Sequence, residues 1–254
     1  MCIFKNVSTK SFFNSYNGHS FVGLVGFGKL IDSNSTYYVA DFSDSKVIMF
    51  DENWNFLIYK TFINPAYILI INSTLYISGN SNVFKTDKDL NILKQFDANV
   101  SPTYRGIDFN PTNKVIYVAS SSFSRIDIFD LNLTLTDNIN TSPYQPYALL
   151  ISENMLYAGD SNNGYVLRIS NKTIIGVFQS CSSGYVTGIF IDIYDYIATS
   201  CFSFAKLNLA QLNGTTTGLS INTPASPFAM NFDSKGLLVQ ISFSQISIFT
   251  YSNS

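Results

Sequence analysis

The stretch IYVASSSFSRIDIFD, residues 116–130, contains two runs of β-branched and aromatic residues on either side of a serine-rich turn. Runs of this kind, separated by Ser, Asn, Asp or Gly, are typical of two adjacent antiparallel strands. The same pattern occurs five more times in the chain, beginning at Tyr37, Leu75, Leu156, Tyr196 and Leu237. Subtracting each starting position from the next gives spacings of 38, 41, 40, 40 and 41 residues. The chain is therefore built from repeats of nearly constant length.

A repeat of about 40 residues with several strands in each copy is typical of a β-propeller blade. A further hydrophobic run precedes each copy, and we interpret it as the inner strand of the blade. These runs occupy residues 22–27, 66–71, 105–110, 147–152, 187–192 and 228–233. We predict an all-β, six-bladed β-propeller with four antiparallel strands in each blade. Residues 1–254 would form one domain, with blade repeats from about residue 21 to residue 250.

The last repeat offers only three strands, at residues 228–232, 237–241 and 245–250. An incomplete blade would leave unpaired strand edges, which promote aggregation. Residues 10–13, KSFF, stand at the same distance from the first inner strand as the fourth strand of an ordinary blade does from the next one. We predict that the N-terminal region, residues 1–14, supplies the strand that closes the ring. Residues 2–6 fit two interpretations equally, an additional edge strand or the remnant of a longer protein.

Two repeats carry the most complete blade motif: IYVAS (116–120) with RIDIFD (125–130), and YVAD (38–41) with KVIMFD (46–51). These stretches resemble the NHL-type repeat family, whose blade reads approximately P-x-G-I-A-x-D, a gap, and I-Y-V-A-D-x-x-N-x-R-I-x-x-F-D. The fifth and sixth repeats lack the Asp and the basic residue of that motif. The resemblance implies a member of the wider superfamily of six-bladed propellers.

Charged residues make up only 13% of the chain, against roughly 25% in typical soluble proteins. The formal net charge is −2, and the 15 Lys and Arg residues are dispersed. Binding to a nucleic acid depends on clustered cations that neutralise phosphates. We therefore expect no nucleic-acid partner, which also argues against the RNA binding known in some proteins that resemble the NHL group. We expect a monomer.

No run approaches the roughly 18 consecutive apolar residues of a membrane-spanning helix, so we expect no membrane insertion. The first residues, MCIFKN, lack the apolar segment of a signal peptide. Either the protein is intracellular, or a leader peptide is absent from this sequence. The compartment stays open, with a slight preference for a secreted or extracellular protein.

Residues with catalytic chemistry are scarce. The single histidine, His19, lies on a loop just before the first inner strand, and we interpret it as an ordinary loop residue. A single histidine excludes a His-rich zinc site, and a Ser-His-Asp arrangement would have to use this residue. We therefore predict no catalytic residues and no cofactor, and we favour a binding or scaffold protein over an enzyme.

A calcium-dependent hydrolase or lyase is the alternative. Six-bladed lactonases and gluconolactonase-like hydrolases gather Asp, Asn and Glu around one calcium ion in the central channel, and this ion requires six to eight oxygen ligands. The inner strands place Asp108 and Asn231 at one equivalent level. The other four blades have Val25, Leu69, Leu150 and Phe190 at that level. This set is poor in oxygen ligands, so the metal site is the weaker hypothesis.

The residue before the Gly or Ala of each inner strand should line the mouth of the propeller. Around the ring these residues are Val22, Ala66, Arg105, Tyr147, Thr187 and Phe228. Tyr104, Tyr144 and Tyr185 add aromatic character beside them. One Arg among aromatic side chains in a concave mouth is suited to hold a carboxylate, a sugar or a peptide side chain. We predict a protein, peptide or glycan ligand at this mouth; packing at the strand ends is the other explanation of the pattern.

The cysteines are Cys2, Cys181 and Cys201. Cys181 follows a fourth strand, and Cys201 lies in the turn of the next blade, so both loops emerge on the same face. A disulfide between Cys181 and Cys201 is favoured over two free thiols and would indicate an oxidising compartment. Eight Asn-x-Ser/Thr sequons would fit a glycoprotein, although a chain this rich in Asn, Ser and Thr contains several by chance.

Overall fold

The structure is a computed structural model. It describes residues 7–13, 15–16, 19–20, 24–29, 36–98, 102–160, 163–179, 181, 185–191, 196–201, 206–213, 215–222, 229–232, 238–242 and 245–251. Predicted elements that fall elsewhere, such as residues 2–6, lie outside the described residues.

The regular structure of the described residues consists of strands and one 3-10 turn, Ser121–Phe123. In chain order the strands are β1 (Val7–Phe13), β2 (Ser15–Tyr16), β3 (His19–Ser20), β4 (Leu24–Lys29), β5 (Tyr37–Asp41), β6 (Lys46–Phe50), β7 (Phe56–Thr61), β8 (Pro65–Ile71), β9 (Thr74–Gly79), β10 (Asn82–Thr86), β11 (Ile92–Asp97), β12 (Tyr104–Asn110), β13 (Val115–Ser120), β14 (Arg125–Asp130), β15 (Leu135–Asn140), β16 (Ala148–Ser152), β17 (Met155–Gly159), β18 (Asn163–Arg168), β19 (Thr173–Gln179), β20 (Val186–Ile191), β21 (Tyr196–Cys201), β22 (Lys206–Gln211), β23 (Thr216–Asn222), β24 (Ala229–Phe232), β25 (Leu238–Ser242) and β26 (Gln245–Tyr251). In the part of the chain that the structure describes, no helix is long and apolar enough to cross a membrane.

Apart from β2 and β3, which pair only with each other, the strands form four-stranded antiparallel sheets, as a propeller requires. Five of these sheets consist of four consecutive strands and are called blades 1 to 5: β4–β7, β8–β11, β12–β15, β16–β19 and β20–β23. A further four-stranded sheet, the terminal sheet, has the order β1-β26-β25-β24. The prediction of an all-β propeller of four-stranded antiparallel sheets is confirmed. The predicted number of six blades is not confirmed: five blades have consecutive strands, and the terminal sheet combines both ends of the chain.

The inner strands contact one another in the order β4, β8, β12, β16, β20 and β24, and β24 in turn contacts β4. The terminal sheet therefore lies between blade 5 and blade 1. The predicted N-terminal closing strand is confirmed, since β1 pairs with β26 and places Phe12 opposite Ser247. This strand begins at Val7 and is longer than the predicted residues 10–13.

Burial follows the position of a strand in its blade. In blade 1 every residue of β5 is buried, whereas the outer strand β7 is largely exposed. Apolar side chains fill the spaces between neighbouring blades: Met49 of blade 1 packs in one cluster with Ile68 and Phe84 of blade 2. The aromatic and β-branched residues of each repeat thus form the faces by which adjacent sheets stack.

The turns between third and fourth strands repeat one device in blades 1 to 3. The Asp130 Oδ1 atom accepts the backbone N–H groups of Asn132 and Thr134, both at 2.8 Å. Leu133 between them has a φ of 55° and is buried. Asp51 and Asp87 bind their own turns in the same way. Such a side-chain bond to the backbone of a turn stabilises the left-handed residue.

Candidate functional site

Irregular pairing at the start of the inner strands positions the mouth. The register between β12 and β13 shifts between Tyr104 and Ile107, so that Arg105 and Gly106 lie outside the regular ladder. Comparable shifts occur at the start of β8 and β20 and bypass Ala66 and Thr187. In blade 1 the shift bypasses Val25, so the predicted alignment there is wrong: Val25 and not Val22 takes the position of Arg105, and Gly28 and not Val25 takes that of Asp108. A bulge redirects the side chain that it carries. The shift releases Arg105 from the ladder of β12, a strand that pairs with β13 alone.

The backbone of Arg105 is fixed by the neighbouring blade. The Ser78 hydroxyl, at the end of β9, donates a hydrogen bond to the Arg105 carbonyl. The Ser78 hydroxyl oxygen in turn accepts a hydrogen bond from the backbone N–H of Tyr67 at 3.2 Å. Ser78 is fully buried, so this contact between blades 2 and 3 does not exchange with solvent.

Two aromatic rings flank the Arg105 guanidinium. Its carbon atom lies 4.8 Å from the ring centroid of Phe42 and 5.7 Å from that of Tyr147. Phe42 belongs to the turn after β5 in blade 1, and Tyr147 precedes β16 in blade 4. The Tyr147 ring also packs on Tyr185, with 4.5 Å between the centroids. Cation–π attraction is strongest where the cation is partly desolvated, as it is here.

Arg105 carries a charge that no acidic side chain neutralises among the described residues, where the ion pairs of Lys and Arg involve other residues. Burial lowers the pKa of Arg105, and the nearby tyrosines Tyr147 and Tyr67 oppose that shift. Because a guanidinium cannot be deprotonated in a protein, the group stays positive. By contrast, Arg125 is paired with the buried Asp127, at 2.7 Å between Nε and Oδ1.

Tyr67, which lies near Arg105, reaches across the ring from blade 2 to blade 5. Its hydroxyl donates a hydrogen bond to the Thr187 carbonyl. Tyr67 lies in β8 and Thr187 in β20, and two inner strands separate these strands in either direction around the ring. Burial raises the pKa of Tyr67 far above its ordinary value, with a smaller opposing effect of Arg105. The tyrosine is therefore neutral, and its ring forms a floor to the mouth.

The other predicted mouth residues have different surroundings. Ala66 is fully buried, and Thr187 is buried with its hydroxyl 3.4 Å from that of Ser200. Tyr104 is also fully buried, and its hydroxyl donates to Asp127 Oδ2 at 3.0 Å within blade 3. Val22 and Phe228 lie outside the described residues. Of the predicted mouth residues, Arg105 and Tyr147 therefore lie side by side. Thr187 is connected to this pair through Tyr67, whose hydroxyl binds its backbone carbonyl.

The alternative metal ligands have limited freedom. Asp108 is half-buried, and its two carboxylate oxygens accept the backbone N–H groups of Phe109 at 2.8 Å and Ile151 at 2.6 Å. Burial raises the pKa of Asp108 to about 6, against the effect of these two bonds. Asn231 lies on β24. No group of three or more His, Cys, Asp or Glu side chains suited to a metal ion occurs in the described ranges.

The predicted disulfide is confirmed. Cys181 and Cys201 are bonded, with a Cα–Cα distance of 5.7 Å, and both are buried. Cys201 also pairs with Val186 in the β20–β21 ladder. Cys201 is the last residue of β21 and does not lie in the following turn, where the sequence predicted it. The bond therefore ties the exit of blade 4 to β21, the strand that pairs with β20.

Phe42, Tyr67 and Ser78 were missed by sequence reasoning. A signal for Tyr67 exists: it takes the position that Gly106, Ala148 and Gly188 fill in other inner strands, and a large polar ring there departs from the pattern. Phe42 carries no comparable signal, because its approach to Arg105 depends on how blade 1 sits in the ring.

The chain matches no known protein family, and no curated protein matches it. Among solved structures it is similar to a structure of streptogramin B lyase, with a TM-score of 0.73 and 11% sequence identity over 98% of this chain and 99% of that one. An identity this low establishes the propeller fold alone. The resemblance to NHL-type repeats is therefore carried by the short blade motifs and not by a family match.

Proposed function

We propose that this protein is a non-catalytic ligand-binding propeller of six blades, in which the terminal sheet serves as the sixth blade. The ligand would bind at the mouth formed by Arg105 and Tyr147, with Phe228 expected on the same rim. One observation supports this most strongly: the Arg105 guanidinium lies close to the rings of Phe42 and Tyr147, without an acidic partner among the described residues.

A charge in this position favours a binding function over plain packing. A half-buried cation loses hydration, and two aromatic faces and the nearby Tyr147 hydroxyl replace only part of it. Arg125, by contrast, has a structural role, and its charge is neutralised by the buried carboxylate of Asp127. Arg105 instead lies among aromatic side chains, which commonly line ligand sites. A protein segment, a peptide or a glycan would supply the missing contacts.

The proposal is tested by screening panels of glycans and peptides against the purified protein and three variants. Arg105→Ala and Tyr147→Ala should each lose binding of any hit from the wild-type screen. Lys94→Ala removes one positive charge from the exposed face of β11 and should bind as the wild type does. Hits that bind all four proteins equally would place the ligand elsewhere and contradict the proposed site.

A calcium-dependent hydrolase or lyase is the second candidate, and the half-buried carboxyl group of Asp108 favours it. The streptogramin B lyase to which the fold is similar is an enzyme by name. This candidate requires one equivalent of calcium in the purified protein, a lower melting temperature in chelator, and loss of both properties in Asp108→Ala. Elemental analysis and thermal melts would decide it; no metal and no chelator effect would refute it.

A further inference from the structure

We infer that the mouth recognises a single carboxylate attached to a flat or aromatic body, and that Tyr67 sets the depth to which this ligand enters. This inference rests on the proposed function, because it assumes that the Arg105 mouth binds a ligand. It adds the chemical class of the ligand and a residue that limits its size.

The charge of the ligand follows from Arg105. The guanidinium stays positive when half-buried, and the side chains that approach it in the described residues are neutral: Phe42, Tyr147 and Tyr67. An anion is the ligand that gains most from such a site, because hydrogen bonds to a charged group are stronger than neutral ones. Neutral sugars or amides would leave the charge uncompensated.

A carboxylate fits this site better than a phosphate group. The planar guanidinium presents parallel N–H groups that match the two oxygens of a carboxylate. A phosphate dianion is commonly held by several cations or by a helix N-terminus, and the described mouth residues offer one cation and no helix. One arginine is matched by one negative charge.

The aromatic residues predict the body of the ligand. Tyr185 is 39% exposed, and its ring is inclined by 37° to that of Tyr147. Together with Phe42 they place aromatic surface on both sides of Arg105. Flat rings pack on such surfaces in offset or edge-to-face arrangements. A ligand that carries its carboxylate next to a ring could contact the charge and the rim at once.

Tyr67 would stop the ligand below Arg105. Its side chain crosses from blade 2 to the Thr187 carbonyl in blade 5, which places its ring across the channel. Asp108 lies three residues further along β12 than Arg105, and its carboxylate would repel an anion. The floor therefore keeps the negatively charged end of the ligand at Arg105 and away from Asp108.

The test compares N-acetyl-L-tryptophan with N-acetyl-L-tryptophanamide, which differ in the charge of one group. Titration calorimetry or ligand-observed NMR should show that the wild type prefers the acid by at least about tenfold, as expected for one charge-assisted contact. N-acetyl-L-alanine keeps the carboxylate without the ring and should bind more weakly than N-acetyl-L-tryptophan. Equal binding of acid and amide would refute the inference that the ligand needs a carboxylate. Equal binding of the two acids would refute the inference that it needs an aromatic ring.

Variants assign the effect to the mouth. Arg105→Ala should weaken binding of the acid by roughly 10- to 100-fold and leave the amide nearly unchanged. Arg105→Lys should retain part of the preference, because the charge remains and the planar fork is lost. Lys94→Ala is the matched control and should behave as the wild type. An acid preference that survives in Arg105→Ala would refute the assignment.

Tyr67→Ala tests the floor, with Tyr67→Phe as the control that retains the ring. A carboxylate with a second ring, N-acetyl-L-biphenylalanine, should gain affinity relative to N-acetyl-L-tryptophan in Tyr67→Ala alone. Melting temperatures of both variants establish that they are folded. If the alanine variant melts early, a Tyr67→Leu variant, which also shortens the side chain, replaces it. An unchanged ratio in folded variants would show that Tyr67 does not limit the ligand.

The source of the carboxylate is distinguished by a hexapeptide ending in Trp, with a free or an amidated C-terminus. Tight binding of the free form alone indicates a peptide C-terminus, whereas binding of N-acetyl-L-tryptophan alone indicates a small aromatic acid. If a glycan from the screen binds in an Arg105-dependent manner and no acid is preferred, the proposed function stands and this inference fails. If no probe binds in an Arg105-dependent manner, both fail.

Discussion

Gly106→Ala probes the contact that holds two blades together beside the mouth. A Cβ atom on Gly106 would lie 2.7 Å from the Leu149 nitrogen, 2.8 Å from the Tyr147 oxygen and 2.9 Å from the Ala148 Cα. All three are backbone atoms of blade 4, so no side-chain rotation can relieve the overlap. The strand β16 would have to move away from β12, and Tyr147 would move with it.

The expected effect has two parts. Separation of the strands breaks the hydrogen bond from the Gly106 nitrogen to the Tyr147 oxygen, which is 2.7 Å long and contributes about 1 kcal/mol. Overpacking against backbone adds about 1–3 kcal/mol. The free energy of unfolding should therefore fall by about 2–4 kcal/mol, and the melting temperature by on the order of 10 °C for a chain of this length.

Chemical denaturation followed by fluorescence or circular dichroism measures this change. Gly176→Ala is the matched control, because its nearest neighbour, the Asn213 carbonyl oxygen, would lie at 3.3 Å and the substitution should cost less than about 1 kcal/mol. Gly106→Ala should also weaken ligand binding, since Tyr147 loses its place beside Arg105. Equal stability of the two glycine variants would show that the strands do not approach as closely as described.

Three further predictions follow from other contacts. Reduction of the Cys181–Cys201 bond, which closes a loop of 20 residues, should lower the free energy of unfolding by about 3 kcal/mol. Unfolding curves with and without reductant measure this change in a Cys2→Ser variant, which prevents thiol exchange. Identical curves would contradict the bond. Because the pKa of Asp108 is raised to about 6, the folded state binds this proton more tightly than the unfolded chain does. The wild type should therefore lose stability relative to Asp108→Asn as the pH rises from 4 through 6. Parallel curves of unfolding free energy against pH for the two proteins would contradict this. Asp130→Ala should lower the free energy of unfolding by about 1 kcal/mol, because the turn around Leu133 loses its side-chain hydrogen bonds. The pKa of Asp130 lies below its ordinary value, so the difference between wild type and variant should shrink below about pH 4. Denaturation at pH 7 and at pH 3 would check this.

The architecture was accessible from the sequence because each blade is encoded locally. The runs around Val118 and Ile128 carry the alternation and turn residues of paired strands, and the repeat length places each pair in its own sheet. The closing role of the N-terminal segment followed from the missing fourth strand of the last repeat, and β1 pairs with β26 as expected. The disulfide was accessible for the same reason, since the topology places both cysteines on one face.

The site was accessible only in part, because it joins residues from separate blades. Arg105 and Tyr147 were found since they occupy the same position in two repeats. Phe42 lies in a turn, and its distance to Arg105 depends on the angle between blades 1 and 3, which no local pattern specifies. Asp108 was predicted as a channel residue, but its hydrogen bond to Ile151 of the next blade was not.

Departures from the repeat pattern, and not the pattern itself, locate the candidate site. Ladder pairing puts Gly26, Tyr67, Ala148, Gly188 and Ala229 at corresponding points of their inner strands. Small residues there let neighbouring inner strands approach, so a tyrosine is the exception, and its side chain extends across the channel. Arg105 is the second exception, because the other predicted mouth residues are uncharged. Packing alone explains neither, since a fully apolar ring would be easier to stabilise than one containing a half-buried cation. Two exceptions that meet at one level of one channel are therefore the strongest physical reason to look for the ligand there.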